Sequence, residues 1–449
     1  MTSPSAGTIA PARERVLVVS IDGLAPRVIT PATMPNLCRL ALAGGACFDA
    51  RTVEPPLTVP AHASMVHGVE PSVHRLLDNA RRRPDGPSRS FLAAARAAGR
   101  TTASVLCWLP LDELVEPDAT DHRVTLDSGY DPCDDDAVTQ HVIDLLRTQR
   151  PDVTLTYLVA CDLAGHATGW GSPEYVGAAT RTDTLLGELV AAAGTDVAIV
   201  VTTDLGGVGR SHGDPVRDTM ATFLTVRSAR MAPRTMWPNA SILDVAPTVA
   251  DLLDIAPDHS WVGRSLLGSE RPIVDHLLEL TASMAAHSYG ERVDMLSHAL
   301  QAAACARRDG AVDALVLAAL LHDVGHVLAG AAGEITEWGA PDHAEVGARH
   351  LQAWLPAAVV EPIRWHVEAK RYLVATDPAY LDALSPASVA TLHQQGGACT
   401  PHEVAEYEAR EHGPAAVAVR RWDDAGKQSG FDVMPLDGYR ALLEGHLIA

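Results

Sequence analysis

Residues 16–23 read VLVVSIDG, an unbroken apolar run of strand length that stops on an aspartate and a glycine. A strand that is apolar throughout, rather than at every second position, is one buried on both faces of a mostly parallel sheet. The same pattern recurs outward from it. Residues 103–107, 153–160 and 196–203 are further strand-like runs, and 35–42, 136–146 and 173–193 carry helical periodicity between them. Residues 244–255 (DVAPTVADLLDI) close the region as a helix. This alternation predicts an α/β domain with a mostly parallel sheet over residues 1–270. From residue 273 onward only helical periodicity remains, including the Ala/Leu helix 311–321 and a Ser385-Pro386 helix start. A second, all-α domain is predicted over 271–449, after the short link 268–271.

Composition bounds the function. The 449 residues include 56 acidic and 35 Lys+Arg side chains, a formal charge of −21. Such a charge repels phosphate backbones and speaks against a nucleic-acid binder. Hydrophobic residues at 47% and charged ones at 20% describe a folded chain. Lysine occurs only at Lys370 and Lys427, beside 20 histidines, which makes metal ligation worth pursuing. Seven cysteines, an odd number without a CxxC, argue against a disulfide framework and a zinc ribbon. The first residues hold no apolar signal core, and no uncharged apolar run reaches the roughly 20 residues of a membrane helix. A reducing cytoplasm is the simplest compartment.

Three aspartates end predicted strands: Asp22, Asp162 and Asp204. Ligands in open α/β sheets sit at the carboxyl ends of strands. His166 follows Asp162 by four residues, close enough on a helical turn to share a metal. Thr58, in PPLTVPAHASMVHG, falls at the start of a helix, where backbone N–H groups favour a phosphate. A metal-bound threonine alkoxide there would be a nucleophile, and a plain N-cap threonine is the alternative.

The strings IDGL, TMPNLCRLALAGG, PPLTVPAHASMVHG, DLAGHATGWGSPEY, TTDLGG and DVAPTVADLLDI, in this order, resemble the alkaline phosphatase superfamily. The nearest branches are nucleotide pyrophosphatase/phosphodiesterases and phosphonoacetate hydrolases. The resemblance implies Thr58 as nucleophile and Asn79 as a phosphate contact. It gives Asp162, His166 and His212 to one metal, and Asp22 and Asp204 to a second beside Thr58. The family pattern has Asp-His-Gly where this chain has Asp204-Leu205-Gly206. Leucine cannot ligate, so the second site is left with oxygen donors, which suit Mg²⁺ or Mn²⁺ better than Zn²⁺. Either the metal differs or the hydrolase is impaired.

In the second domain, LVLAALLHDVGH (315–326) places His322 and Asp323 side by side near the end of an apolar helix. Neighbours on a helix face different ways, so chelation by both needs a helix end or two metals bridged by the carboxylate. His298 precedes the pair by 24 residues; His343, His366 and Asp423 follow. The set resembles the dinuclear branch of the HD superfamily. With YGERVDMLSHALQ, HAEVGARHLQ, EPIRWHVEAKRYL and RRWDDAGK it resembles the HD-domain oxygenases of phosphonate catabolism. The resemblance implies one iron on His298, His322 and Asp423, another on His343 and His366, and Asp323 as the bridge. His326, Lys370, Ser388, Thr391 and Gln395 would contact a phosphonate, with Tyr289 and Glu291 near its amine end. Ser388, Thr391 and Gln395 are also spaced i, i+3, i+7, one face of a helix. The implied chemistry is the cleavage of the C–P bond of a 1-hydroxyphosphonate by dioxygen at a mixed-valent diiron site. Two alternatives stand beside it: an HD phosphohydrolase of nucleotides, and a regulatory protein with vestigial metal sites.

Overall fold

The computed structural model describes residues 14–126, 134–288, 293–331, 340, 342–427 and 432–448. The chain divides into two compact units, Met1–Arg271 and Pro272–Ala449.

The first unit is built on strands β1 (Arg15–Ile21), β2 (Gly45–Arg51), β3 (Thr102–Leu106), β4 (His122–Thr125), β5 (Val153–Leu158), β6 (Val197–Thr202), β7 (Ala221–Arg227), β8 (Thr235–Met236) and β9 (Arg271–Pro272). Their order in the sheet is β4-β3-β5-β1-β6-β7-β2-β8-β9. β1 runs parallel to β5 and β6, with Val18 opposite Leu155 on one side and Val200 on the other. β3 is parallel to β4 and β5, and β7 is antiparallel to both β6 and β2. β5, β1 and β6 are buried along nearly their whole length, as their unbroken apolar runs require. They are neighbours, so the residues just past their carboxyl ends meet at one edge of the sheet. Asp22, Asp162 and Asp204 are those residues.

Two features hold that edge. The helix Pro173–Ala193 starts on Ser172, whose hydroxyl accepts from the Tyr175 amide at 3.1 Å. Tyr175 in turn donates its hydroxyl to the Gly23 carbonyl at 2.7 Å and accepts from the Ala25 amide at 2.8 Å. Gly23 itself has φ +64°, and a Cβ there would lie 2.9 Å from the Asp162 Cα. Glycine lets the β1 loop lie against the Asp162 backbone.

The described part of the second unit is helical. Its central helix, Asp313–Leu321, buries Val316 through Leu321 without a break, as a helix that is apolar all round must. His322 caps that helix, and Asp323 sits in the turn before the next one, Val324–Ala331. The HD pair therefore stands at a helix break. Around it lie Met295–Arg308, His343–Leu351, Ala357–Thr376, Pro386–Gln394 and Gly413–Ala425.

Cys38, Cys47, Cys161, Cys305 and Cys399 are buried free thiols. Cys107 is disulfide-bonded. No helix among the described residues is long and apolar enough to cross a membrane.

Candidate metal centres

In the first unit, Asp162 and His166 lie one turn apart on the helix Ala160–Thr168. The His166 Nδ1 donates to the Arg210 carbonyl at 3.0 Å, and the His212 Nδ1 to the Pro56 carbonyl at 2.9 Å. A carbonyl can only accept, so in both rings the proton is on Nδ1 and Nε2 is a bare lone pair. Those two Nε2 atoms stand 3.1 Å apart. Asp162 Oδ1 is 3.5 and 3.6 Å from them and, though buried, has no hydrogen-bond partner. Three acceptors converging without a donor are stable only around a cation, so these residues fit a metal ion.

The second proposed site differs. Asp22 Oδ1 and Asp204 Oδ2 are buried without partners. The other Asp22 oxygen accepts from the Tyr157 hydroxyl, and Asp204 Oδ1 from the Gly23 amide at 3.2 Å. Leu205 is wholly buried. An imidazole does lie close: His62 Nδ1 is 3.5 Å from Asp204 Oδ2. Both its nitrogens are taken, however, Nδ1 by the Thr58 carbonyl and Nε2 by the Ser20 hydroxyl, each at 2.8 Å. The site therefore offers oxygens and no nitrogen, which fits Mg²⁺ or Mn²⁺ and not a nitrogen-ligated zinc. Burial, with Asp204 and Asp162 nearby, raises the Asp22 carboxyl well above its usual range; burial also lifts Asp204 to about 7.

Thr58 is the first residue of the helix Thr58–His67, and the N-cap position belongs to Leu57. That removes the plain N-cap alternative. Asn79 Oδ1 accepts from the Val59 amide at 2.9 Å, so Asn79 flanks the same helix start with its NH₂ still to place.

In the second unit the lone-pair pattern occurs twice. His298 and His322 donate their Nδ1 protons to the Gly426 and Ala319 carbonyls at 2.9 and 2.8 Å, and their Nε2 atoms are 3.3 Å apart. His343 and His366 donate to the Ala340 and Ile363 carbonyls at 2.9 and 2.6 Å, with Nε2 atoms 3.1 Å apart. Asp423 Oδ1 faces the first pair at 3.1 and 3.9 Å. Asp323 divides between them. Its Oδ2 is 3.6 and 3.2 Å from His298 and His322, and its Oδ1 is 3.5 and 4.0 Å from His343 and His366. A carboxylate with one oxygen on each pair is the geometry of a bridge between two metal ions. Burial opposes the charge on Asp323, but His322 and its neighbours outweigh it and hold the carboxyl well below its usual range. Against burial, Asp323 raises His322 to about 9 in the metal-free protein, where a proton on Nε2 supplies the positive charge that the site favours at its centre and that a metal ion would replace.

His326 takes the opposite tautomer. The Ala340 amide donates to its Nδ1 at 2.9 Å, so Nε2 carries the proton. Its ring stacks on His343 at 3.8 Å, and Nε2 lies 3.8 Å from Asp323 Oδ1. Beside Asp323 it therefore presents a proton on Nε2 and not a lone pair. Lys370, one turn after His366 on the helix Ala357–Thr376, is 2% exposed, and its Nζ donates to Thr391 Oγ1 at 2.8 Å. Burial, then Arg420, lowers it to about 7. Ser388 and Thr391 lie on the helix Pro386–Gln394, capped by Ser385, and Gln395 follows with Oε1 buried and unpartnered. Tyr289 and Glu291 fall outside the described residues. Sequence reading passed over Arg420. It is buried, bonded through Nη1 to Asp423 Oδ2 at 2.6 Å and through Nε to the Tyr380 hydroxyl at 3.0 Å. Its place three residues before Asp423 on one helix was the available signal.

Residues 16–246 match the family model of type I phosphodiesterase / nucleotide pyrophosphatase, and residues 285–406 match the HD domain. The chain belongs to the type I phosphodiesterase / nucleotide pyrophosphatase family and carries an HD domain after it. Its HD part is similar to hydroxymethylphosphonate dioxygenase of Gimesia maris, 41% identical over 176 residues, 39% of this chain and 88% of that protein. It is also similar to the glycine-betaine-forming 1-hydroxy-2-(trimethylamino)ethylphosphonate dioxygenase of Leisingera caerulea, 39% identical over 148 residues, 32% and 74% of the two chains. The phosphodiesterase-family unit overlays loosely on a phosphonate monoester hydrolase from Silicibacter pomeroyi, 18% identical at a TM-score of 0.47, covering 58% and 77% of the chains.

Proposed function

We propose that the HD unit oxidatively cleaves the C–P bond of a 1-hydroxyphosphonate. One dioxygen would convert the hydroxylated carbon to a carboxylate and release phosphate. The observation that carries this reading is the divided Asp323 carboxylate between two imidazole pairs, with a buried lysine and two hydroxyls beside it. His298, His322 and Asp423 would hold one iron, His343 and His366 the other, with Asp323 shared. The irons would supply dioxygen binding and one-electron chemistry. Lys370 would neutralise the phosphonate. Thr391 and Ser388 would fix its orientation, and His326 would donate from Nε2 to one of its oxygens. Arg420 would keep Asp423 turned toward His298. The relatives named as phosphonate dioxygenases support this chemistry without fixing the group on the second carbon.

The first unit is proposed as a metal-dependent phosphodiester or phosphonate hydrolase with Thr58 as nucleophile and Asn79 holding a substrate oxygen. Leu205 favours a second reading, a hydrolase impaired at the metal beside Thr58.

Oxygen uptake together with phosphate release from 2-amino-1-hydroxyethylphosphonate, its trimethylammonio analogue and hydroxymethylphosphonate tests the main reading. Uptake matching phosphate one to one is expected with at least one of them. Nucleotide hydrolysis under nitrogen, with no oxygen uptake, would make the unit an HD phosphohydrolase instead.

A further inference from the structure

We infer that Asp135 is a positioning residue for the metal centre of the first unit: its carboxylate fixes the start of the helix that carries Asp162 and His166. The inference rests on the metal reading of Asp162, His166 and His212. That helix, Ala160–Thr168, follows β5 after Val159, and a valine at the N-cap has no side-chain acceptor for the first amides. Asp135 supplies the acceptors from another segment. Its Oδ1 accepts from the Val159 amide at 2.9 Å and its Oδ2 from the Ala160 amide at 3.0 Å. Asp135 opens the helix Asp135–Thr148, but that start has its own cap: Asp134 Oδ1 accepts from the Asp136 and Ala137 amides at 3.0 and 3.3 Å. The Asp135 carboxylate is therefore committed to the other helix.

Asp162 lies in the first turn of the capped helix, and His166 one turn further on. His212 comes from a different segment and is held by the Pro56 carbonyl. Two of the three metal residues thus move with the helix and the third does not, so their convergence depends on how the first turn is aimed. A carboxylate that takes two successive amides, one on each oxygen, fixes both the position and the rotation of that turn. The Asp135 carboxyl is buried, which raises it to about 6 although the two amides oppose the shift. The groups around it are Asp134 and Asp136 on its own helix, Arg181 of Pro173–Ala193, which pairs with Asp136, and the Cys161 thiol, pushed up to about 12 and so uncharged at neutral pH. Near neutral pH both Asp135 oxygens accept. Below about 6 one carries a proton, and one amide loses its acceptor.

The test uses the iron-loaded full chain with its Asp135→Asn, Asp135→Ala and His212→Ala variants. Two imidazoles and a carboxylate suit zinc, and the zinc bound by the wild type and lost in His212→Ala defines the centre. The readouts are zinc affinity by chelator competition near pH 7.5 and pH 5.5, and iron content as the internal control. Asparagine keeps the shape and one acceptor. Near pH 7.5 zinc affinity should fall by about 10-fold in Asp135→Asn and further in Asp135→Ala, with iron unchanged. Near pH 5.5 the ratio of wild type to Asp135→Asn should shrink toward one, since the wild type then has a single acceptor as well. Protonation of His166 and His212 is common to both proteins and cancels in that ratio. Folded variants with wild-type zinc affinity near pH 7.5 overturn the inference, even if they melt earlier. Equal loss of zinc and iron, or a ratio independent of pH, overturns it in favour of a purely structural role. If Asp135→Ala does not fold, the isosteric Asp135→Asn decides alone. A wild type whose zinc binding is untouched by His212→Ala overturns the metal reading, and the inference with it.

Discussion

The position of a proton on each imidazole separates ligand from donor in both units. Six histidines named from sequence as ligands each give Nδ1–H to a backbone carbonyl and turn Nε2 inward. His326, named as a substrate contact, is reversed by a single backbone amide. The residue types were legible, and the tautomers were not, because they depend on carbonyls from other segments. At Leu205 the sequence states the departure outright, and the structure adds that His62 cannot compensate. Leu205→His should bring zinc to the site beside Thr58 and raise zinc-dependent hydrolysis of an aryl phosphodiester, about 10-fold or more on the scale of a restored ligand environment. Unchanged zinc stoichiometry would count against that. Asp204 gives a pH dependence. Its carboxyl is raised to about 7 from 3.8, so in the metal-free protein the folded state binds the extra proton between those values. Its contribution to stability is greatest at the acid end and is lost as pH rises through about 7. The melting temperature of metal-stripped protein should fall over that window, and less so in Asp204→Asn.

Among the elements, those with strong local signals were readable and those defined by partners were not. The helix Pro173–Ala193 and the Ser385-Pro386 helix start follow from capping residues and periodicity. β2 and β7 carry no such signal. β2 pairs antiparallel with β7 through a bulge between Cys47 and Ala50, which breaks any alternation. Gly325 shows how one small residue joins two elements of the site. A Cβ there would stand 1.9 Å from the His343 carbonyl oxygen, so Val324–Ala331 packs on the helix of His343 only because position 325 has no side chain. Gly325→Ala should force that helix away, cost about 1–3 kcal/mol or more, and lower metal content; full metal loading in a folded Gly325→Ala protein would disprove it. Lys370 makes a prediction for the helix pair it bridges. Burial holds it at about 7, and a bound dianion should raise it. Phosphonate binding at pH 8 should therefore take up close to one proton, read as a calorimetric enthalpy that changes with the buffer's ionisation heat. A buffer-independent enthalpy would contradict it.

At the scale of the molecule, two units each carry their own converging metal residues: Asp162, His166 and His212 in one, and two groups of three around Asp323 in the other. A metal bound a thousandfold above its Kd contributes about 4 kcal/mol to the unit that holds it. Chelation of the full chain should lower the melting of both units, and iron should restore the second. An unchanged thermogram after complete metal removal would argue for vestigial sites.

The sequence alone determined the two fold classes, the order of the strands and helices with strong local patterns, and the inventory of candidate ligand residues, because periodicity and residue chemistry are local properties of the chain. Only the tertiary structure decided that Asp323 divides its oxygens between two imidazole pairs, that His62 is saturated, and that both lysines meet one helix face. Those facts depend on the distances between residues far apart in sequence, which packing sets and no local pattern records.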